Sequence, residues 1–218
     1  MKIDPATAGG IAGEIAFKGT APKAEAIDMS QDPACVFGNV TPNRSQAYEV
    51  ANGKLANVFV YVKEGPVVGP HFDAPNEPVV LDQHGCRYVP HVLALMAGQT
   101  LRIQNSDPAL HNVNAQSKNS PWNVSQSPKG EAIEKMFSQP EVMMVLKCNQ
   151  HPWMKAYVNV SSHPFFAVTG QDGKFEIKGL PPGEYTLAAV HEKLGEQTVK
   201  VIIGAKESKT VGFDFGTK

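Results

Sequence analysis

The chain reads as a succession of short apolar alternations broken by glycine, proline and asparagine. GGIAGEIAFKG, from Gly9, alternates and stops at Gly19. LANVFVYVKEG sets Val58, Val60 and Val62 on one face of a strand and Phe59 and Tyr61 on the other. A period of two is the mark of extended chain with alternate side chains on opposite faces. VLALMAGQTLRIQNSD predicts a strand, a turn at Ala97-Gly98, a second strand and a polar loop from Asn105 to Pro108. EVMMVLKC is an apolar strand, and KAYVNV follows a few residues later as another. KFEIKGLPPGEYTLAAVHE predicts a hairpin-like pair around Leu180-Pro181-Pro182-Gly183, and EQTVKVIIGAKESKTVGFDF supplies two last strands. Helix signals are scarce. Ser117 to Lys135, polar and carrying Pro121 and Pro128, reads as a long loop with a short helix near Glu131. Many short strands at this spacing predict an all-β sandwich or barrel.

Length and composition narrow this picture. The 218 residues suit one large domain or two small ones, and 42% hydrophobic with 19% charged residues is ordinary globular composition. A net charge of −1 creates no field that would recruit nucleic acid or an anionic membrane. No apolar run approaches the ~20 residues of a membrane span. The opening MKIDPATAGG shows no export signal. The chain is then either cytosolic or an exported protein, periplasmic for example, whose signal peptide has been removed. Its cysteines favour the second reading.

The densest chemistry lies at 148–154, Cys-Asn-Gln-His-Pro-Trp-Met. A thiolate, an imidazole and a thioether within seven residues must share one tight loop after a strand. Soft sulfur combined with imidazole selects copper, and two His, one Cys and a weak axial Met make the blue-copper set. NSDPALHN at 105–112, another strand-then-loop element, can supply the second imidazole from His111. A structural zinc site would want several thiolates, and only Cys148 is offered. A catalytic cysteine would leave Met154 without a role, and no carboxylate accompanies the loop locally to orient a base.

With Cys148 so engaged, Cys35 and Cys86 are left as a candidate disulfide, which persists only in an oxidising compartment. The alternative is two buried thiols acting as small apolar residues. A second metal site from His84, Cys86 and His91 is also open, although a bridged Cys86 with two ordinary histidines is favoured. His71, His163 and His191 read as solvated or structural. Met143 and Met144 read as core residues rather than as a methionine-rich copper store. Trp153, between two ligands, reads either as an exposed docking residue or as packing over the site.

C-x₂-H-x₂-M after an apolar strand, with N-S-D-x₃-H-N upstream, resembles the cupredoxins, and the loop length is most similar to the amicyanin branch. The resemblance spans about Val79 to Val160. It implies a Greek-key β-sandwich with one copper per chain, held by imidazole nitrogens of His111 and His151, the Cys148 thiolate and a weak axial Met154. It further implies that Asn112 fixes the cysteine loop and that His151 is the exposed edge. The expected function is single-electron transfer between redox protein partners, copper cycling between Cu(I) and Cu(II). Copper delivery or storage is the alternative. A fixed four-ligand site without H-x-H clusters argues against an enzyme.

FAVTGQDGKFEIKGLPPGEYTLAAVHE resembles the carboxypeptidase regulatory-like module, a small transthyretin-like β-sandwich. GGIAGEIAFKGTAP looks like the first strand of such a module. The expected organisation is therefore N-terminal strands at 1–65, which could pack with the C-terminal module, a copper-binding domain at 66–162, and the β-module at 163–218.

Overall fold

A computed structural model describes residues 1–39, 41 and 43–217. The fold is all-β, and among the described residues the one helix is the short Pro33–Phe37. The chain divides into two compact units, each built from separated segments. One gathers Met1–Pro22, Ala47–Asp73 and Ser161–Lys218, and the other gathers Lys23–Gln46 and Ala74–Val160.

In the first unit the Gly9–Lys18 strand is the organiser. It pairs antiparallel with Lys174–Leu180 and parallel with Ser208–Gly216, and it touches Lys54–Leu55 through one pair. Its alternation is used as read, with Ile11, Ile15 and Phe17 turned into the core. A second sheet runs in the order Phe166–Val168, Phe59–Glu64, Gly183–His191, Gly195–Ile203. Ile15, Leu55, Val60, Leu187 and Phe213 belong to one continuous apolar cluster. The expected hairpin at Leu180–Gly183 is not one. Lys174–Leu180 and Gly183–His191 lie in different sheets, and Pro181-Pro182 carries the chain from one to the other. Neither proline has an N–H for a ladder, so the step falls where pairing would fail anyway.

The second unit is also a two-sheet sandwich. Five strands run in the order Trp122–Gln126, His111–Ala115, Glu141–Lys147, Lys155–Ser161, Val92–Met96. The other four run Ile133–Met136, Thr100–Asn105, Val79–Gln83, Tyr88–Val89. The chain crosses between the two sheets several times, with hairpin pairs between the crossings, connectivity of the Greek-key kind, and Val79–Gln83 lies parallel to Thr100–Asn105. Leu81, Leu95, Leu101, Ile103, Val113, Leu146 and Val158 fill the space between. Gly98 turns the chain with φ of +83°, a conformation that costs glycine least.

Two expectations are corrected here. The 117–135 stretch is not a plain loop with a helix near Glu131. It holds the strands Trp122–Gln126 and Ile133–Met136, which pair with His111–Ala115 and Thr100–Asn105. Nor does residues 1–65 form one N-terminal group. Lys23–Gln46, with its helix, belongs to the second unit, where Cys35 is bonded to Cys86, while the segment through Asp73 stays with the first. Lys218, the expected end of the C-terminal module, lies outside the described residues.

Candidate metal centre

Three strands bring the site together at one end of the second unit's larger sheet. Glu141–Lys147 delivers Cys148, Lys155–Ser161 leaves the loop, and His111–Ala115 pairs beside them, with Leu146 opposite Ala115 and Lys147 opposite Asn114. A bulge sets the phase of the cysteine strand. Met143 has φ of +52°, its N–H donates to Asn159 Oδ1 at 2.9 Å, and the register shifts between Glu141 and Met144. Beyond the bulge Met144, Leu146 and Cys148 are buried in turn. The loop then closes on itself. Cys148 N–H donates to the Met154 carbonyl at 3.2 Å, and Met154 N–H donates to the His151 carbonyl at 2.9 Å.

His111 is aimed by its own loop. Asn105 Oδ1 accepts from Asp107 N–H at 3.1 Å, while Asn105 Nδ2 donates to the Ala109 carbonyl at 3.0 Å. The Asx turn so formed folds the 105–110 segment back under His111. Asn112 holds the other side. Its Oδ1 accepts from Asn149 N–H at 2.6 Å and lies 3.3 Å from Cys148 Sγ.

The donors converge. His111 Nδ1 and His151 Nδ1 are 3.0 Å apart, and Cys148 Sγ is 3.6 Å from His151 Nδ1. His111, Cys148 and His151 are all buried and offer ligand atoms within 4.8 Å of one another. Met154 is fully buried in the same core cluster.

Each histidine has its far nitrogen engaged. His111 Nε2–H donates to Asp107 Oδ2 at 2.8 Å, and His151 Nε2–H donates to Asp32 Oδ2 at 2.9 Å. Sequence reasoning found neither carboxylate. Asp107 lay within the quoted N-S-D motif and four residues from His111, so its proximity was readable. Asp32 is 119 residues from His151 and left no local signal. The carboxylates fix the tautomers, leaving both Nδ1 atoms facing the thiol.

The metal-free charges follow from this geometry. Burial pushes the Cys148 thiol up, but the His111 imidazole and the surrounding N–H groups outweigh it and bring it down to about 6. Burial likewise works against a charged His111, yet Asp107 and Cys148 raise it to about 9. Near neutrality an imidazolium–thiolate pair therefore occupies the space between the donors. Hydrogen bonding from His151, opposed by burial, holds Asp32 below the usual carboxylate range.

Several single residues resolve differently from one another. Cys35 and Cys86 are bonded, so Cys86 is not available to a second site with His84 and His91. His84 is exposed, and buried His91 Nδ1 lies 3.1 Å from the Lys155 carbonyl. His151 is not an exposed edge but is only 4% exposed. Trp153 is half-buried and donates from Nε1 to the Cys86 carbonyl at 3.0 Å, so it packs over the site. Met144 is in the core and Met143 is half-buried.

Several solved structures are similar to part of this chain. The chain is similar to a copper-containing nitrite reductase from Thermus scotoductus SA-01, at 22% identity over 45% of this chain and 27% of the reductase, with a TM-score of 0.36. It thus spans about a quarter of that enzyme's length. It is also similar to a Cu(I) variant of amicyanin, at 17% identity over 47% of this chain and 98% of amicyanin, TM-score 0.36. A purple cupredoxin from Nitrosopumilus maritimus is similar at 26% identity over 34% of this chain and 82% of its own length, TM-score 0.30. The β-sandwich domain of ER membrane protein complex subunit 7 matches residues 147–213, under a third of the chain. No curated protein matches in sequence.

Proposed function

We propose that this chain holds one copper ion through His111, Cys148, His151 and Met154 and carries single electrons between redox protein partners. The supporting observation is the convergence of two imidazole Nδ1 atoms and one thiolate in a buried cluster whose outer nitrogens are both held by carboxylates. Two imidazole nitrogens 3.0 Å apart beside a thiolate need a positive charge between them, which a shared proton supplies in the metal-free protein and a cation would supply on binding. One Cys and two His with a buried Met suit copper better than zinc.

Bound copper would supply the one-electron couple, taking an electron from a reduced partner and passing it to an oxidised one. The protein's part is to hold the donors still. The loop hydrogen bonds, the Asn112 brace and the carboxylates restrict each ligand to one orientation, which limits rearrangement between oxidation states. Asp32 and His151 complete with Cys148 a series that elsewhere could activate a thiol nucleophile. Here Cys148 is 2% and His151 4% exposed, so a substrate carbonyl has no approach. We therefore assign no catalysis. The Cys35–Cys86 bridge favours an oxidising location such as the periplasm. Among the described residues no helix is long and apolar enough to cross a membrane.

Adding Cu(II) to the protein should give an intense thiolate-to-copper band in the visible with one copper per chain by metal analysis. The Cys148→Ser variant should lack the band. A colourless loaded protein would refute the assignment. Loss of copper within seconds to a modest chelator would favour delivery over electron transfer.

A further inference from the structure

His151 is covered by a segment that is not part of either sheet. Asp32 opens the helix Pro33–Phe37, and its two carboxylate oxygens have separate tasks. Oδ1 accepts from Ala34 N–H at 2.9 Å and caps the helix, while Oδ2 accepts from His151 Nε2–H at 2.9 Å. The next turn brings Cys35, whose Sγ is 3.8 Å from the same Nε2 and is bonded to Cys86. Trp153, 5.1 Å from the His151 ring between centroids, ties to the Cys86 carbonyl. The imidazole edge is thus enclosed by a carboxylate, a disulfide and an indole. A helix of five residues has little stability of its own. It is held by the disulfide, and the disulfide thereby holds the carboxylate.

We propose that Asp32 is the positioning residue of His151, setting its ligating nitrogen and lowering the reduction potential of the centre. The inference rests on the copper reading above. As acceptor for Nε2–H it leaves only Nδ1 to face Cys148, and it makes that nitrogen a stronger donor. Its negative charge lies one imidazole away from the metal position, so it favours the oxidised ion, which carries one more positive charge. It also occupies the place where solvent or a partner would meet the ring. Electrons therefore do not pass by direct contact of a partner with a bare His151 edge.

The test is Asp32→Asn in the full-length protein loaded with Cu(II). Asparagine caps helices as well as aspartate does, so the Ala34 contact survives. Its amide cannot both cap through oxygen and accept from Nε2–H. The thiolate band should persist, and Cu(II) affinity should fall about 10–100-fold, the usual cost of losing such a partner. If Cu(I) affinity is unchanged, each tenfold loss raises the potential by 59 mV for a one-electron couple. Asp28→Asn is the control. Asp28 lies in the same segment, and its carboxylate accepts from Ser30 N–H. This variant should leave the potential alone. Should Asp32→Asn fail to fold, Asp32→Ser keeps a cap and removes the same acceptor, and it is read the same way. An unchanged potential with the band intact would overturn the proposal, as would an equal shift from Asp28→Asn. Absence of the band in the unaltered protein would instead refute the copper reading itself.

Discussion

Asp107 Oδ2 lies 2.8 Å from Nε2 of His111, with both side chains buried. The same carboxylate accepts from Gly85 N–H at 2.7 Å and from Cys86 N–H at 2.8 Å. Gly85 and Cys86 have φ of +64° and +52°, so their successive N–H groups point the same way and form a small anion-binding nest. A buried charge would be costly without such partners. Burial pushes Asp107 up, but His111 and the two backbone donors outweigh it and leave it below the ordinary carboxylate range.

Asp107→Asn should therefore do two things at once. The amide would turn one N–H toward donors that already point at it, leaving a buried group unsatisfied at about 1–3 kcal/mol. Copper affinity should fall about 10–100-fold because His111 loses its orienting acceptor. Chemical denaturation of the metal-free protein and a copper titration read the two effects separately. Unchanged affinity with lowered stability would restrict Asp107 to a structural role.

Met154 is fully buried, and leucine conserves most of its volume. Met154→Leu should cost less than about 1.5 kcal/mol of stability. Copper and the thiolate band should remain, and the potential should rise, since removing an axial donor disfavours Cu(II). Voltammetry decides it. An unchanged potential would mean that Met154 is a core residue and not a ligand.

What was legible followed from locality. Gly9–Lys18 announces itself because it buries one face, so alternation survives in the sequence, while Phe59–Glu64, buried at Phe59 as well as at Val60 and Val62, shows as a short run of β-branched and aromatic residues. Cys148, His151 and Met154 share one loop, so their meeting needed no tertiary information. His111 was readable because its motif also ends a strand. Trp122–Gln126 was missed because its residues are mostly half-buried or exposed and prolines flank it, so it carries little apolar pattern. The partners of Lys174–Leu180 and Gly183–His191 were missed because sequence proximity does not say which sheet a strand joins. Asp32 could not be found at all, since its place depends on a disulfide and a five-residue helix far from the motif.

The Cys35–Cys86 bridge closes a separation of 51 residues. In the chain-entropy picture this restricts the unfolded chain by about 4 kcal/mol. Replacing both cysteines by serine should lower the denaturation midpoint accordingly. It should also release Asp32, so the copper-loaded variant should show a raised potential as Asp32→Asn does. An unreduced digest should yield the two cysteine peptides linked. Equal midpoints for variant and parent would show that the bridge adds nothing to stability.

His163 provides a pH dependence in the first unit. The ring is buried, Nε2–H donates to the Val62 carbonyl at 2.9 Å, and Nδ1 accepts from Phe165 N–H at 3.3 Å. Both nitrogens are therefore satisfied by the neutral tautomer, and a second proton would have to displace the Phe165 donor. Burial holds its pKa below the ordinary histidine value, only partly offset by the Val62 carbonyl. The unfolded chain, with a histidine pKa near 6.5, binds this proton more readily than the folded one. Stability is thus fully present above about 6.5, falls as pH drops below it, and levels once the folded ring also protonates. The slope from this one group is at most about 1.4 kcal/mol per pH unit. Other groups titrate in the same range, so the quantity to measure is the difference between the parent and His163→Gln at equal metal loading. Denaturation at a series of pH values from 7.5 to 5 should show the parent losing its advantage as the solution is acidified. Ring resonances of His163 should titrate at lower pH than those of an ordinary exposed histidine. A difference that does not change with pH, or a ring that titrates near 6.5 in the folded protein, would show that His163 is not held neutral by its surroundings.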